Sequence, residues 1–169
     1  MNSDLISNLT TLTELSQEQT QTAFLRFALG NSDSGLLPLE QLAEVLAIQT
    51  ANILPVPEMP SCVLGIYNWR GKMLWLIDLS HLVGDLSLDR QDETASVMVI
   101  QINEQFLGAV VPAVDDVEQY EPHRIQPAEP GVFPQSLLPF LQGYLPEDGS
   151  VVLAPEAIAR YPAWQTHRS

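Results

Sequence analysis

The sequence predicts a mainly β protein with a barrel-like architecture and a few short helices. Three observations lead to this fold class. Short apolar runs of strand length recur along the chain, turn-forming Gly, Pro, Asn and Asp residues separate them at regular intervals, and few segments show the spacing of an amphipathic helix. At 169 residues, the chain has room for one compact domain or for two small lobes that share a core.

The first half of the chain is expected to fold from Thr22 onward. Apolar runs between turn signals predict its strands at 24–29, 36–39, 62–67 and 73–77. Pro38 has no backbone N–H to give to a sheet, so it either confines the second strand to an edge or ends it. Residues 39–48 support two interpretations, because their first part has helical i, i+3, i+4, i+7 spacing and 45–48 fits a strand equally well. Periodicity alone does not decide between them.

The second half begins after a polar connection at 85–93, which is the best internal boundary in the chain. Before this connection, Asp78 is a suitable N-cap for a short helix at 79–83, with Gly84 as the stop. Further strands are predicted at 95–102, 105–111, 114–120, 140–145 and 151–153. A terminal helix is expected at 154–160.

The segments outside this folded part are polar. Residues 1–21 have two interpretations, a solvated tail or a short amphipathic helix that needs a surface to lie on, because four leucines follow roughly helical spacing. These are Leu5, Leu9, Leu12 and Leu15. Residues 161–169 are expected to form a C-terminal tail. Because the N-terminal stretch does not have the pattern of a signal peptide and no run of about 18 apolar residues occurs, we expect a cytoplasmic protein without membrane insertion.

The composition excludes one class of partner and favours a reducing compartment. The formal net charge is −14, from 21 acidic and 7 basic side chains, whereas binding to a phosphate backbone needs clustered Lys and Arg. We therefore expect no nucleic-acid partner. The single cysteine, Cys62, cannot form an intramolecular disulfide and is expected to be a small buried hydrophobe.

The sequence contains no recognisable catalytic or metal-binding motif. It lacks a Gly-rich phosphate loop, a Cys-x-x-Cys pair, a His-Glu-x-x-His helix and a Gly-x-Ser-x-Gly elbow. The three histidines, His81, His123 and His167, are far apart, and the acidic residues are scattered as on a solvated face. We expect no enzymatic activity, no catalytic residue, no metal and no cofactor.

The stretch 63–79 resembles the signature of the CheW-like family. There, an apolar-x-Gly-apolar-x-Asn-apolar-Arg-Gly turn leads into an apolar strand that ends in Ile-Asp-Leu. Further similarities extend the resemblance over residues 22–160. They are the upstream strand at 24–29, the segments 43–45 and 57–60, and the downstream hairpins at 106–117 and 141–153.

The resemblance implies two SH3-like five-stranded β-barrel lobes around a shared apolar core, at roughly 22–84 and 94–153. It also implies an adaptor that couples a methyl-accepting-type transducer or photoreceptor to a CheA-like histidine kinase in a two-component chemotaxis or phototaxis pathway. In such proteins the second barrel binds the regulatory domain of the kinase, and the groove between the barrels meets the helical tip of the transducer. The block at 70–79 is similar to CheW-like proteins of cyanobacterial phototaxis and pilus-motility systems.

The resemblance further implies a set of partner-binding residues. They are Glu44, Gly65, Asn68, Trp69, Arg70, Gly71 and Gly108. Arg70 places a guanidinium at a turn between apolar strands, where it needs a partner. The resemblance implies that Glu44 is this partner and that the pair borders the receptor-binding groove. The alternative is a salt bridge that only pins two segments together.

The chain departs from the family pattern at three positions. Trp69 stands where a smaller aliphatic residue is common, Trp75 where many members have Pro, and Pro112 where an acidic residue is usual. Each tryptophan is either core filling or a large exposed anchor for a particular partner. Two other functions remain open, namely a scaffold subunit of a motility machine without a kinase and a small β-barrel ligand-binding protein with a deep polar pocket.

Overall fold

The computed structural model describes residues 21–30, 33–82, 93–133, 135 and 137–160. These contain the strands β1 (Thr22–Ala28), β2 (Ser34–Pro38), β3 (Leu42–Gln49), β4 (Val63–Trp69), β5 (Lys72–Asp78), β6 (Thr94–Ile102), β7 (Gln105–Val111), β8 (Val114–Tyr120), β9 (Leu141–Leu145) and β10 (Ser150–Leu153). They also contain the short helices α1 (Leu79–Leu82) and α2 (Pro155–Ala159), and single 3-10 turns at Leu39–Gln41, Thr50–Asn52, Pro122–Arg124 and Leu138–Phe140. The expected mainly β fold with a few short helices is confirmed.

The strands form two five-stranded sheets. The order is β8-β1-β2-β10-β9 in one sheet and β3-β6-β7-β5-β4 in the other. Each sheet is antiparallel except for one parallel pair, β2 with β10 and β5 with β7. The first sheet therefore draws on both ends of the folded region, whereas the second uses the uninterrupted segment 42–111.

The lobe boundaries expected at roughly 22–84 and 94–153 are corrected by this topology. The sheet built from 42–111 takes three strands from the first range and two from the second, and its β3 pairs with β6 from Leu42↔Ile100 to Gln49↔Thr94. The polar connection at 85–93 joins two strands of that same sheet. Pairing between strands far apart in sequence decides the lobes, and a local change in composition carries no information about it.

Both sheets close into barrels through a residue that follows an edge strand. After β3, Leu54 exchanges two backbone hydrogen bonds of 2.9 Å with Ile66 on β4, the opposite edge. After β8, Gln126 exchanges two backbone hydrogen bonds of 2.9 Å with Tyr144 on β9, which is the opposite edge of the other sheet. Closure pairs backbone groups that an open edge would leave exposed. We call β3–β7 the continuous barrel, and β1 and β2 with β8–β10 the split barrel.

Apolar side chains fill both barrels and the space between them. Along β6, Val97 and Val99 face the interior of the continuous barrel, while Met98 and Ile100 face the core between the barrels. The interbarrel core also contains Cys62, which is buried as expected. A separate cluster fills the split barrel with Phe24, Leu36, Leu145 and Val152. Because burying one such side chain contributes about 1.5–3 kcal/mol, the interbarrel core holds the two barrels together as one unit.

Three local features show which interpretations of the sequence are right. Residues 39–48 form a 3-10 turn followed by β3, so the strand interpretation is right and the helix interpretation is wrong. Pro38 ends β2, which lies inside its sheet and not at an edge. Asp78 caps α1, because its Oδ1 accepts a hydrogen bond of 3.2 Å from the backbone N–H of His81.

Some expectations fall on residues that the structure does not describe. The leucine-spaced N-terminal segment, the helix stop at Gly84, most of the polar connection and the tail at 161–169 lie outside the described residues.

Candidate functional site

The candidate site is built on the tight turn between β4 and β5. Arg70 and Gly71 are its two central residues, with φ angles of 51° and 76°. Positive φ at both positions is characteristic of a type I′ turn, whose twist matches that of two antiparallel strands. The Oδ1 atom of Asn68 accepts a hydrogen bond of 3.1 Å from the backbone N–H of Gly71. Arg70 is thus held in a left-handed conformation that costs a residue with a Cβ about 1–2 kcal/mol.

Glu44 on β3 meets this turn because barrel closure brings together the two edge strands of the sheet, β3 and β4. One oxygen, Glu44 Oε2, lies 3.0 Å from Arg70 Nη2 and accepts a hydrogen bond of 2.9 Å from the indole Nε1–H of Trp69. The Glu44–Arg70 ion pair that the resemblance implied is therefore present. Its role in binding a partner stays a prediction.

The two donors to Glu44 differ in strength. The side chain of Arg70 is 68% exposed and that of Glu44 is 32% exposed, so the ion pair alone contributes only about 0–1 kcal/mol. A hydrogen bond from a neutral donor to a charged acceptor contributes about 1.5–3 kcal/mol. Trp69 is therefore the stronger anchor of the Glu44 carboxylate.

Trp69 is core filling and not an exposed anchor. Its side chain lies in the core of the continuous barrel, 6% exposed, with its ring centroid 4.9 Å from that of Phe106. Two cations cover this aromatic pair from outside: Arg70 Cζ lies 5.1 Å from the centroid of Trp69, and Lys72 Nζ lies 5.0 Å from that of Phe106. Trp75 is half-buried and packs against the interbarrel core.

Two glycines of the predicted site shape the continuous barrel from inside. A Cβ on Gly65 would stand 2.1 Å from the carbonyl oxygen of Leu54, the residue that closes the barrel. A Cβ on Gly108 would stand 2.4 Å from a methyl carbon of Leu76, its neighbour in the parallel pair. Both glycines permit a close approach that any side chain would block.

The seven predicted partner-binding residues fall into two groups by exposure. Gly65, Trp69 and Gly108 are buried. The remaining four reach the surface, and they are Glu44, Asn68, Arg70 and Gly71. The buried group therefore supports the barrel, and the surface group is what a partner can touch. Sequence reasoning placed Trp69 in the partner-binding set and noted it as a departure from the family pattern, but missed its hydrogen bond to Glu44.

Sequence reasoning also missed a second polar network, which lies in the split barrel and is centred on Arg26. The Arg26 guanidinium is 17% exposed and forms hydrogen bonds with side chains on several strands. Its partners are Ser34, Glu118, Tyr120, Asp148 and Ser150. The available signal was a single charged residue inside the apolar run Phe-Leu-Arg-Phe, because a cation placed there must find acceptors as the chain folds.

The network changes the acid–base properties of its members. Hydrogen bonds from Arg26 and then from Tyr120 hold the pKa of Glu118 below its usual value. Burial works against ionisation of Asp148, but hydrogen bonds from Ser150 and the charge of Arg26 outweigh it, so the pKa of Asp148 is also lowered. Burial, together with the hydrogen bond to Glu118, raises the pKa of Tyr120. Arg26 therefore stays paired with two carboxylates at neutral pH.

The part of the chain that the structure describes contains neither a metal-binding cluster nor a membrane-spanning helix. It contains no cluster of three or more His, Cys, Asp or Glu side chains that could hold a metal ion. No helix in that same part is long and apolar enough to cross a membrane.

Two closed five-stranded barrels with an apolar core between them, and a charged hairpin turn at the surface, define a double-barrel domain. A family model described as a CheW-like domain matches residues 23–160. The chain therefore belongs to the CheW family.

Individual relatives agree with this family. The chain is 27% identical over 127 residues to a chemotaxis protein CheW of Klebsiella aerogenes, covering 73% of this chain and 72% of the relative. It is 28% identical over 109 residues to a chemotaxis protein CheW of Rhizobium meliloti, covering 64% and 69%. Among solved structures, the scaffolding protein TtCheW of Thermoanaerobacter tengcongensis has the same fold, with a TM-score of 0.68, 23% identity, and coverage of 79% of this chain and 88% of that one.

Family membership defines the general class of function. Proteins of the CheW family are non-enzymatic scaffolding or coupling proteins in chemotaxis, and this chain is one of them. The expectation of a non-enzymatic adaptor is confirmed at this level.

Proposed function

We propose that this protein couples a methyl-accepting-type transducer or photoreceptor to a CheA-like histidine kinase in a two-component chemotaxis or phototaxis pathway. The observation that supports this proposal is the exposed position of the Arg70 side chain. This cation stands 68% exposed at the tip of a tight turn, beside Glu44, on a protein with a net charge of −14. An exposed cation on such an acidic surface makes a selective contact point for an acidic partner.

The helical tip of the transducer is proposed to lie against the surface group of the site. Lys72 adds a second exposed positive charge two residues after Arg70. By contrast, Arg26 is largely buried in its own network. A guanidinium fits a carboxylate in a planar, bidentate geometry, so the partner group opposite Arg70 is an acidic side chain.

The regulatory domain of the kinase is proposed to bind a barrel through aliphatic contacts inside a polar rim. The range 94–153 contains strands of both barrels, so this contact involves one folded barrel and not one half of the chain. Each barrel offers an exposed aliphatic side chain on an outer strand, Val45 on β3 and Val117 on β8. The complex is proposed to assemble in the cytoplasm.

Reconstitution tests this function. The full chain is mixed with a CheA-like kinase from the same genome and with a transducer fragment that carries the helical tip. We expect a ternary complex in which kinase activity depends on the transducer. Arg70→Glu is expected to abolish that dependence while the chain stays folded. Arg124→Glu is the matched control, because it reverses another arginine that pairs with a glutamate, on the other barrel, and is expected to retain coupling.

Three outcomes would count against parts of the proposal. If no candidate kinase binds at high micromolar concentrations, the coupling function is wrong. If the transducer binds in that case, the protein is a scaffold without a kinase. Kinase activation by Arg70→Glu at the wild-type level would remove the turn between β4 and β5 from the transducer contact.

A further inference from the structure

The carboxylate of Glu44 has two donors on a single oxygen. Trp69 Nε1 and Arg70 Nη2 lie 2.9 Å and 3.0 Å from the same Oε2 atom. The donors come from consecutive residues with opposite environments, since Trp69 is 6% exposed and the side chain of Arg70 is 68% exposed. Glu44 is therefore held from the inside by one donor and from the outside by the other.

The inner donor is fixed in place. The Trp69 ring is part of the core of the continuous barrel and packs at 4.9 Å and 55° against Phe106. Its indole N–H cannot turn away from Glu44 without disturbing this packing. The outer donor has a long, exposed side chain, and only the ion pair and the face of Trp69, 5.1 Å away, hold it in position.

This asymmetry decides what happens when Arg70 leaves Glu44 for another acceptor. Removing the only hydrogen-bond donor from a half-buried carboxylate is costly, because nothing then offsets the desolvation of the charged group. Glu44 keeps the indole N–H after Arg70 has left, so that penalty is reduced. An aliphatic residue at position 69 has no N–H to offer.

We propose that Trp69 is a positioning residue whose indole N–H keeps the Glu44 carboxylate hydrogen-bonded, so that Arg70 is free to exchange Glu44 for a carboxylate of the bound partner. The partner half of this inference rests on the proposed function. The intramolecular half, that Trp69 holds Glu44 without help from Arg70, stands on the geometry alone. In the free protein the ion pair with Glu44 holds the Arg70 side chain at the turn, and in the complex this side chain contacts the acidic partner.

The intramolecular half is tested by hydrogen exchange of the Trp69 indole N–H, measured by NMR on the full chain without partner. Glu44→Ala is expected to accelerate exchange by about tenfold or more, because it removes the acceptor. Arg70→Gln is expected to leave the exchange rate within about twofold of wild type, because the indole bond survives without the guanidinium. Exchange accelerated by Arg70→Gln as much as by Glu44→Ala would mean that Arg70 positions the carboxylate, and would overturn the proposal.

The partner half is tested by a double-mutant cycle on the affinity for the transducer tip. Trp69→Phe keeps an aromatic ring and removes the N–H, and is expected to weaken binding by about three- to tenfold when Arg70 is present. In the Arg70→Gln background the same change is expected to have less than about a twofold effect, because no guanidinium leaves Glu44. Equal losses in both backgrounds would show that Trp69 acts only through the fold, and would overturn the proposal.

Two controls separate this inference from the function on which it rests. Trp75→Phe changes a half-buried tryptophan on β5 of the same barrel and is expected to leave affinity within about twofold of wild type. Urea unfolding of each variant identifies losses that come from instability. If the wild-type protein does not bind the transducer at all, the proposed function and the partner half both fail, while the exchange experiment still decides whether Trp69 alone holds Glu44.

Discussion

Gly65 lies so close to Leu54 that a Cβ on the glycine would stand 2.1 Å from the Leu54 carbonyl oxygen. That carbonyl accepts the backbone hydrogen bond from Ile66 that closes the continuous barrel. Gly65 also has a φ of 144°, a conformation that residues with a side chain rarely adopt. The glycine is therefore required by closure of the barrel, and its place in the predicted site follows from this structural role.

Gly65→Ala is expected to destabilise the fold by about 3 kcal/mol or more, because the clash is with backbone and the backbone conformation is strained as well. Gly149→Ala is the matched control. Gly149 has a φ of 76°, and a Cβ added to it would meet no atom within 4 Å, so this variant tests the strain alone and is expected to cost about 1–2 kcal/mol. Urea unfolding measures both variants. Similar losses in the two would show that the approach to Leu54 is unimportant.

The topology predicts that neither half of the chain folds alone. Cutting within 85–92 leaves β1–β5 in one piece and β6–β10 in the other, and each barrel needs strands from both pieces. We expect each half to lack a cooperative unfolding transition, and the co-expressed halves to form a complex that unfolds cooperatively. Circular dichroism during urea titration measures this. A cooperative transition in either half alone would mean that lobes follow the chain order after all.

The strands could be read from sequence because their signals are local. Apolar runs and turn residues located nine of the ten described strands within a few residues, and the tenth, β3, was one of two interpretations of its segment. The partners of those strands could not be read, because the pairing of β3 with β6 spans about fifty residues and no motif marks it. The segment 39–48 was ambiguous for a related reason, since its strand character follows from pairing with β6 and not from its own spacing.

The candidate site, like the fold, could be predicted from the sequence only in part. The turn at Asn68–Gly71 and the pairing of Arg70 with Glu44 were expected, but the pairing came from the family resemblance and not from the residues themselves. The hydrogen bond from Trp69 to Glu44 was missed, because it depends on closure of the barrel between β3 and β4. The Arg26 network was missed because its acceptors lie on β2, β8, β10 and the turn after β9.

The Arg26 network makes stability depend on pH in a direction that can be derived. The pKa of Glu118 is lower in the folded protein than its usual value. Its stabilisation is therefore complete above the unfolded pKa of about 4.3 and is lost as the pH falls through the folded pKa. Glu118→Gln is expected to lower the free energy of unfolding by about 1–3 kcal/mol at pH 7. The difference from wild type is expected to shrink below about pH 4.

Urea unfolding at several pH values checks this expectation for Glu118. The control is Glu129→Gln, which removes the charge of an exposed glutamate and is expected to change stability by less than about 0.5 kcal/mol at either pH. A loss for Glu118→Gln that stays constant from pH 7 to about pH 3 would contradict the assignment of the stabilisation to the ionised carboxylate.

The turn at Arg70 is expected to show a conflict between stability and function. Asn is the preferred residue before Gly in a type I′ turn, and Arg70 occupies that position with a φ of 51°. Both Arg70→Asn and Arg70→Gln remove the ion pair to Glu44, but only Asn suits the left-handed conformation. We therefore expect Arg70→Asn to be more stable than Arg70→Gln by about 0.5–1 kcal/mol, measured by urea unfolding, while both lose affinity for the transducer tip. If Asn gives no advantage over Gln, the backbone of Arg70 is not strained. If Arg70→Asn binds the transducer as tightly as the wild-type protein does, the guanidinium of Arg70 does not contribute to that contact.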